Sequence, residues 1–164
     1  MTPIQQMFLG VGAASKPYVD DVFSAYVYAG NSSTQSIDNG IDLSGEGGMT
    51  WIKGRDDTVS HFLYDTVRGA GEQINSDSNT DKHTDTNRFS SFNSNGFTLG
   101  NNAYTNDSSY TYSSWSFRKA AGFFDIQTWT GNGTGNRKIS HSLGSVPGAI
   151  WIKRLTGSTG TNVS

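Results

Sequence analysis

Three histidines and fourteen aspartates and glutamates, with many hydroxyls and no cysteine, are the groups that could do chemistry in this 164-residue chain. His61 stands beside Phe62 and Tyr64 in an alternating pattern, which reads as a hydrogen-bonded structural histidine rather than a general base. His83, inside Asp81-Lys-His-Thr-Asp85, reads as solvated. His141, inside Ser140-His-Ser-Leu-Gly144, reads as a turn residue. There is no Gly-x-Ser-x-Gly elbow and no His-Glu-x-x-His pair. The carboxylate pairs Asp20-Asp21 and Asp56-Asp57 are adjacent, so on a strand they point to opposite faces and cannot flank one glycosidic bond. No catalytic residue is assigned, and the chain is expected not to be an enzyme.

Metal and cofactor chemistry fare no better. The run Asp77-Ser-Asn79-Thr-Asp81-Lys82 opens like a calcium loop but carries Lys82 and Arg88 where the turn glycine and the bidentate glutamate belong. The glycine clusters Gly10-Val-Gly12 and Gly131-Asn-Gly133-Thr-Gly135 lead into no helical pattern that would offer a phosphate its N-terminus, and read as turns. No metal and no cofactor is expected. A net charge of −2 supplies no basic patch for a phosphate backbone, so nucleic acid is not an expected partner. Trp51, Trp115, Trp129 and Trp151 could stack on sugar rings, although Trp51 and Trp151, flanked by isoleucine, read as core. Arg55 and Arg68 read as paired surface residues.

The elements that would hold these residues are strands. Charged residues make up only 16% of the chain and glycine occupies 20 positions, so polarity comes from small neutral groups that favour turns over helices. Aromatics at 12% exclude a solvated polymer. From Asp21 on, Val22, Ser24, Tyr26 and Tyr28 alternate with Phe23, Ala25 and Val27, the pattern of a strand buried on both faces. Further strands are expected at 49–53, 60–67, 88–92, 97–99, 110–118, 123–130 and 149–154, each bounded by turn residues. The aromatic parity shifts between Tyr112 and Trp115, which predicts a β-bulge near Ser113-Ser114. The polar stretch 69–87 reads as an exposed excursion. The fold class is all-β, an antiparallel β-sandwich of jelly-roll or lectin-like type, with Trp51, Phe62, Phe97, Trp115, Phe117, Phe124 and Ile126 expected in its core.

An internal repeat runs through the chain at a spacing of about 100 residues. Gly48-Met-Thr-Trp51-Ile52-Lys53 recurs as Gly148-Ala-Ile-Trp151-Ile152-Lys153, Tyr28-Ala-Gly30-Asn31 pairs with Trp129-Thr-Gly131-Asn132, and Ile37 to Ile41 pairs with Ile139 to Leu143. The organisation expected is an N-terminal anchoring arm at 1–17, a sandwich at 18–135 and, at 136–164, the start of a second, incomplete repeat or a linker. In the arm, Ile4, Met7, Phe8 and Val11 fall at helical i, i+3, i+4 and i+7 spacing, with Pro3 fitting a first turn and Gly10 and Gly12 limiting its length. These four are the candidate partner interface. The arm lacks a basic n-region, and no run of about 18 apolar residues occurs, so neither a signal peptide nor membrane insertion is expected.

The motifs Trp51-Ile-Lys-x-Arg55, Leu63-Tyr-Asp-Thr-Val-Arg-Gly69, Phe92-Asn-Ser-Asn-Gly-Phe-Thr-Leu-Gly100, Trp115-Ser-Phe-Arg-Lys119 and Gly122-Phe-Phe-Asp125 occur in that order. They are followed by Ile139-x-His-x-Leu-Gly and Pro147-Gly148. As a set they make the chain from about Tyr18 on resemble a domain recurring in tail and tail-fibre proteins of bacteriophages, notably marine podoviruses. The resemblance implies a virion structural protein built on a β-sandwich unit, often present more than once per chain, with other phage tail proteins as partners and no catalytic residues. A fibre component is expected to be a homo-oligomer, a trimer most readily, because closed symmetry presents identical edges without open strands. The competing expectation is a lectin-like module that binds a bacterial surface glycan.

Overall fold

The computed structural model describes residues 17–156. The arm residues Ile4, Met7, Phe8 and Val11 lie outside them. Two short helices, α1 (Val19–Val22) and α2 (Ala103–Asn106), accompany nine strands among the described residues. These are β1 (Phe23–Ala29), β2 (Gln35–Asp38), β3 (Gly48–Gly54), β4 (Phe62–Asp65), β5 (Glu72–Asn75), β6 (His83–Thr84), β7 (Ser91–Asn93), β8 (Gly96–Leu99) and β9 (Thr111–Arg118). A six-stranded sheet runs in the order β1-β9-β3-β4-β5-β6 and a three-stranded sheet in the order β2-β8-β7, every neighbouring pair antiparallel. The all-β, antiparallel sandwich-like class is therefore correct.

The two sheets meet on Tyr28, Ile52, Phe62, Tyr64 and Tyr112 from the larger and Ile37, Phe97 and Leu99 from the smaller, with Phe89 between them. Phe89 stacks on Tyr64 with ring centres 4.6 Å apart and on Phe97 at 5.3 Å, and Tyr28 stacks on Tyr112 at 5.2 Å. Burial pushes the phenols of Tyr28, Tyr64 and Tyr112 up, so all three are neutral hydrogen-bond donors. Tyr28 donates to the Thr105 carbonyl and Tyr112 to the Ala103 carbonyl, so core rings and the short α2 turn hold each other.

Several expectations give way. β9 pairs without interruption with β1 from Thr111 to Phe117 and with β3 from Tyr112 to Arg118, so there is no bulge at Ser113-Ser114. Its aromatic parity shifts because both of its faces are covered. Tyr112, Ser114 and Ser116 are buried against the second sheet, while Trp115 and Phe117 stand half-buried on the opposite, outer face. Trp51, paired with Trp115, shares that outer face, and Phe124 and Ile126 are also only half-buried. Of the expected core, Phe62 and Phe97 belong to it, and the other five do not.

Residues 123–130 and 149–154 are not strands; the first holds one isolated bridge, Ala120 to Phe124. The strand expected at 88–92 forms instead at β7. The supposed excursion at 69–87 contributes β5 and β6 to the larger sheet and buries Gln73. Gln73 accepts from Tyr64 at 3.1 Å and from Arg88 at 2.7 Å, contacts between side chains that no local pattern displays.

Phe89→Ala removes the ring that both sheets pack on and should cost about 3–5 kcal/mol of stability, read as a fall in the urea midpoint with the slope unchanged.

Candidate interaction surface

The outer face of the six-stranded sheet gathers the aromatic residues that the core leaves out. Trp51 and Trp115 meet edge to face at 5.7 Å, and Phe117 touches Phe23 at 5.0 Å and Phe124 at 5.3 Å. Over this face runs the segment that follows β9. It is held by Asp125, whose side chain is buried: Lys119 Nζ lies 3.2 Å from Oδ1, and the Ser142 N–H and the Gln127 amide donate to Oδ2 at 2.8 Å. Burial alone would raise the Asp125 pKa; the hydrogen bonds from Ser142, Gln127, Lys119 and Ile126 outweigh it and hold the carboxyl well below the usual carboxylate range. Further along, Gly122 N–H donates to the Leu143 carbonyl at 2.7 Å, Lys82 N–H to Leu155 at 2.9 Å, and Lys153 Nζ reaches the Ser78 carbonyl. A cleft of about 240 Å³ lies where this segment meets α1, lined by Pro17, Val19, Val22, Ala121, Gly122 and Phe123.

The segment covers the face only in part. Trp151 stands edge-on to Trp51 at 6.1 Å yet is 67% exposed, and its neighbours Ile150 and Ile152 are 71% and 74% exposed. Trp151 is thus not core as expected, because no strand neighbours it to bury its flanks. Trp129 is 45% exposed.

The charged groups singled out from sequence are taken up by the frame. Arg68 is not a surface residue: its side chain is 5% exposed and that of Asp65 7%. Its Nε donates to Asp65 Oδ2, and its other nitrogens donate to the carbonyls of Glu72 at 2.9 Å and Leu63 at 3.1 Å. Asp65 Oδ1 accepts the N–H groups of Val67 and Arg68, closing the turn after β4. His61 Nδ1 accepts from Trp51 Nε1 at 3.2 Å, the structural role expected. His83 is exposed, and His141 Nδ1 accepts from Leu143 N–H within a turn. Asp77 caps His61 N–H at 3.2 Å instead of facing a cation. Among the described residues no group of three or more His, Asp or Glu gathers to hold a metal ion, and no helix is long and apolar enough to cross a membrane. Asp56, on the surface, takes both the N–H and the hydroxyl of Thr111, which lower its pKa.

Sequence reasoning finds Arg88 only as a misfit in a calcium loop and misses what it touches. Its guanidinium lies 4.4 Å from the Tyr104 ring centre and 5.6 Å from that of Phe62, with Asp85 Oδ2 3.4 Å from Nε as an ion pair rather than a directed hydrogen bond. The aromatics lie 26 residues upstream and 16 downstream, so no spacing could reveal the contact.

Residues 19–164 match the family described as a domain of unknown function, DUF7483. The chain belongs to that family. No curated protein and no solved structure matches it. The DUF7483 match runs unbroken from α1 through β9 into the segment on the outer face, so the family includes that segment as well as the sandwich.

Two outcomes test this arrangement. Arg68→Met leaves the buried Asp65 without its cation and should cost roughly 3–5 kcal/mol, measured by denaturant melting. Because the folded Asp125 pKa lies below its unfolded value of about 3.9, its stabilisation is complete above that pH and is lost as pH falls toward the folded value. Asp125→Asn should therefore speed amide exchange at 122–142 at pH 7 and flatten the loss of stability in acid below about pH 4.

Proposed function

We propose that this DUF7483 chain is a virion structural protein of a phage tail, the attachment part of a tail fibre or tail-associated protein that docks it to the particle for host adsorption. It works by assembly rather than catalysis, with other tail proteins and further copies of itself, a trimer most readily, as partners. One observation carries the reading: the polar side chains in the motifs that resemble tail-fibre proteins are spent on the frame. Lys53 Nζ ties the turn after β3 through the carbonyls of Gly54 and Asp57, Asp65 and Arg68 close the turn after β4, Asn93 binds Thr98 across a hairpin, and Asp125 pins the outer segment. Motifs that build a frame and leave no reactive group in a cleft suit a module whose task is to be a rigid part.

A second reading, a lectin-like module for a bacterial surface glycan, is favoured by the exposed rings of Trp129 and Trp151, which offer flat faces for sugars. The two part on simple measurements. Deleting residues 1–14, with Ile4, Met7, Phe8 and Val11, should leave a folded, soluble domain that no longer enters particles; normal incorporation of the shortened protein rejects the docking role of the arm. On a glycan array the intact protein should be silent, and specific millimolar or tighter binding that Trp129→Ala or Trp151→Ala abolishes moves the assignment to the lectin.

A further inference from the structure

We infer that residues 124–154 are the front of a second sandwich unit, a half-built sheet that takes up a strand of the β9 type. The inference needs no reading of what the particle is. It rests on the repeat, on the topology and on four glycines.

In the first unit β9 is the strand between β1 and β3, hydrogen-bonded to both along its length. The repeat returns the sequences of β1 and β3 but, up to residue 156, no strand to lie between them. Phe23 through Asn31 corresponds to Phe124 through Asn132, and Gly48 through Lys53 to Gly148 through Lys153. Without a middle strand their backbone groups have no ladder, which is why neither forms a strand and why Ile150, Trp151 and Ile152 stay in water, whereas Ile52 is fully buried.

The local turns of the second copy already match those of the first. Asn31 Oδ1 accepts Ser33 N–H around Ser32 at φ 54°, and Asn132 Oδ1 accepts Thr134 N–H around Gly133 at φ 71°. Asn39 Oδ1 accepts Ile41 N–H, and His141 Nδ1 accepts Leu143 N–H at the corresponding place. What is local is formed; what needs a distant strand is not.

The glycines say which strand. A Cβ on Gly30 would stand 2.0 Å from the Asp107 carbonyl oxygen, in the turn leading into β9, and one on Gly48 would stand 2.2 Å from the Phe117 carbonyl oxygen of β9 itself. Neither residue has positive φ, so glycine is required there by the approach of β9 and its lead-in, not by backbone conformation. Gly131 and Gly148 keep glycine at both counterparts, also without positive φ, and nothing lies within 4 Å of a Cβ on either. The space they hold open fits a strand that alternates hydroxyl and aromatic residues as Tyr112, Ser114 and Ser116 alternate with Trp115 and Phe117. On this reading the second unit begins at Phe124 rather than at residue 136.

The test lengthens the chain by a second copy of residues 55–119 placed directly after Arg154. Amide exchange at 124–132 and 148–154 should slow at least about a hundredfold, while exchange in the first unit, measured in the same molecule, stays as it was. In the lengthened chain the pair Gly131→Ala and Gly148→Ala should abolish the new protection and spare the first unit. In the 164-residue chain the same pair should leave the thermal midpoint unchanged, whereas Gly30→Ala or Gly48→Ala lowers it. Unchanged exchange at 124–154 in the lengthened chain overturns the inference. So does a fall in the midpoint of the 164-residue chain on Gly131→Ala and Gly148→Ala, since the segment would then be serving the first unit.

Discussion

The structure depends on β9 being inserted between β1 and β3 in a sheet whose other members all come before it in sequence. β1 and β3 cannot bond to each other; each bonds to β9, and the next strand, β4, is tied to the group only through β3. The side chains of β9 obey this double constraint. Its inner face carries the buried Tyr112, Ser114 and Ser116, and the Thr50 and Ser116 hydroxyls bond across the ladder at 3.3 Å. Its outer face carries Trp115 and Phe117, which give the following segment something to lie on. Joining β1 to β9 closes a loop of some eighty residues, so the contact that organises the sheet is also among the most distant in the chain. Folding ordered by such contacts is slow and leaves β1 and β3 as open edges until it is complete.

The polar interior follows from how β9 is reached. The chain leaves β8, turns through α2 and enters β9, and Thr105 and Asn106 at the end of that turn are buried, so the backbone around them needs partners. Asn106 supplies them: its Oδ1 accepts the Asn31 N–H, and its amide donates to the carbonyls of Gly100 and Ser33 and to Asn31 Oδ1. One buried amide thus joins the end of β1, the end of β8 and the entry to β9. Arg88 does the same on the other side, with one nitrogen on Gln73 and its planar face against Tyr104. Asn106 is fully buried with both ends of its amide bonded, whereas half-buried Arg88 faces Asp85 with its Nε as an ion pair only; the value of both lies in fixing one arrangement of loops that apolar contacts alone would leave loose.

What could be read from the sequence was whatever a residue shares with its near neighbours. Alternation marked strands at Phe23–Ala29 and Gly48–Gly54, and the turn residues bounding them were local too; but only β3 is covered on both faces, while β1, expected to be buried on both, is an edge strand that leaves Ala25, Tyr26 and Val27 exposed. The outer placement of Trp51 and Trp115 was not legible, because alternation says that a strand has two faces and not which of them a second sheet will cover. The same blindness took Arg68 for a surface group: its partners, Asp65 and the carbonyls of Leu63 and Glu72, lie within five residues, but only the folded turn points them inward. The stretch 69–87 looked too polar to belong to the sheet, and it belongs as two short strands at one end of it, the outermost being β6, where polar residues are what keep an edge from pairing further.

The segment after β9 shows the same limit from the other side. Residues 149–154 have strand composition, with isoleucines flanking a tryptophan, and they repeat a stretch that is a strand in this very molecule, yet they form no strand and leave Ile150, Trp151 and Ile152 largely exposed. Closely similar local chemistry therefore has two outcomes, decided by whether a partner strand stands about 4.7–4.9 Å away. A strand is a property of a pair, and sequence read one segment at a time reports only the willingness of one member. That willingness left unmet is itself informative: apolar residues held in water and glycines held without neighbours persist at the cost of stability and order, and they mark the place in this fold where a further contact is to be made.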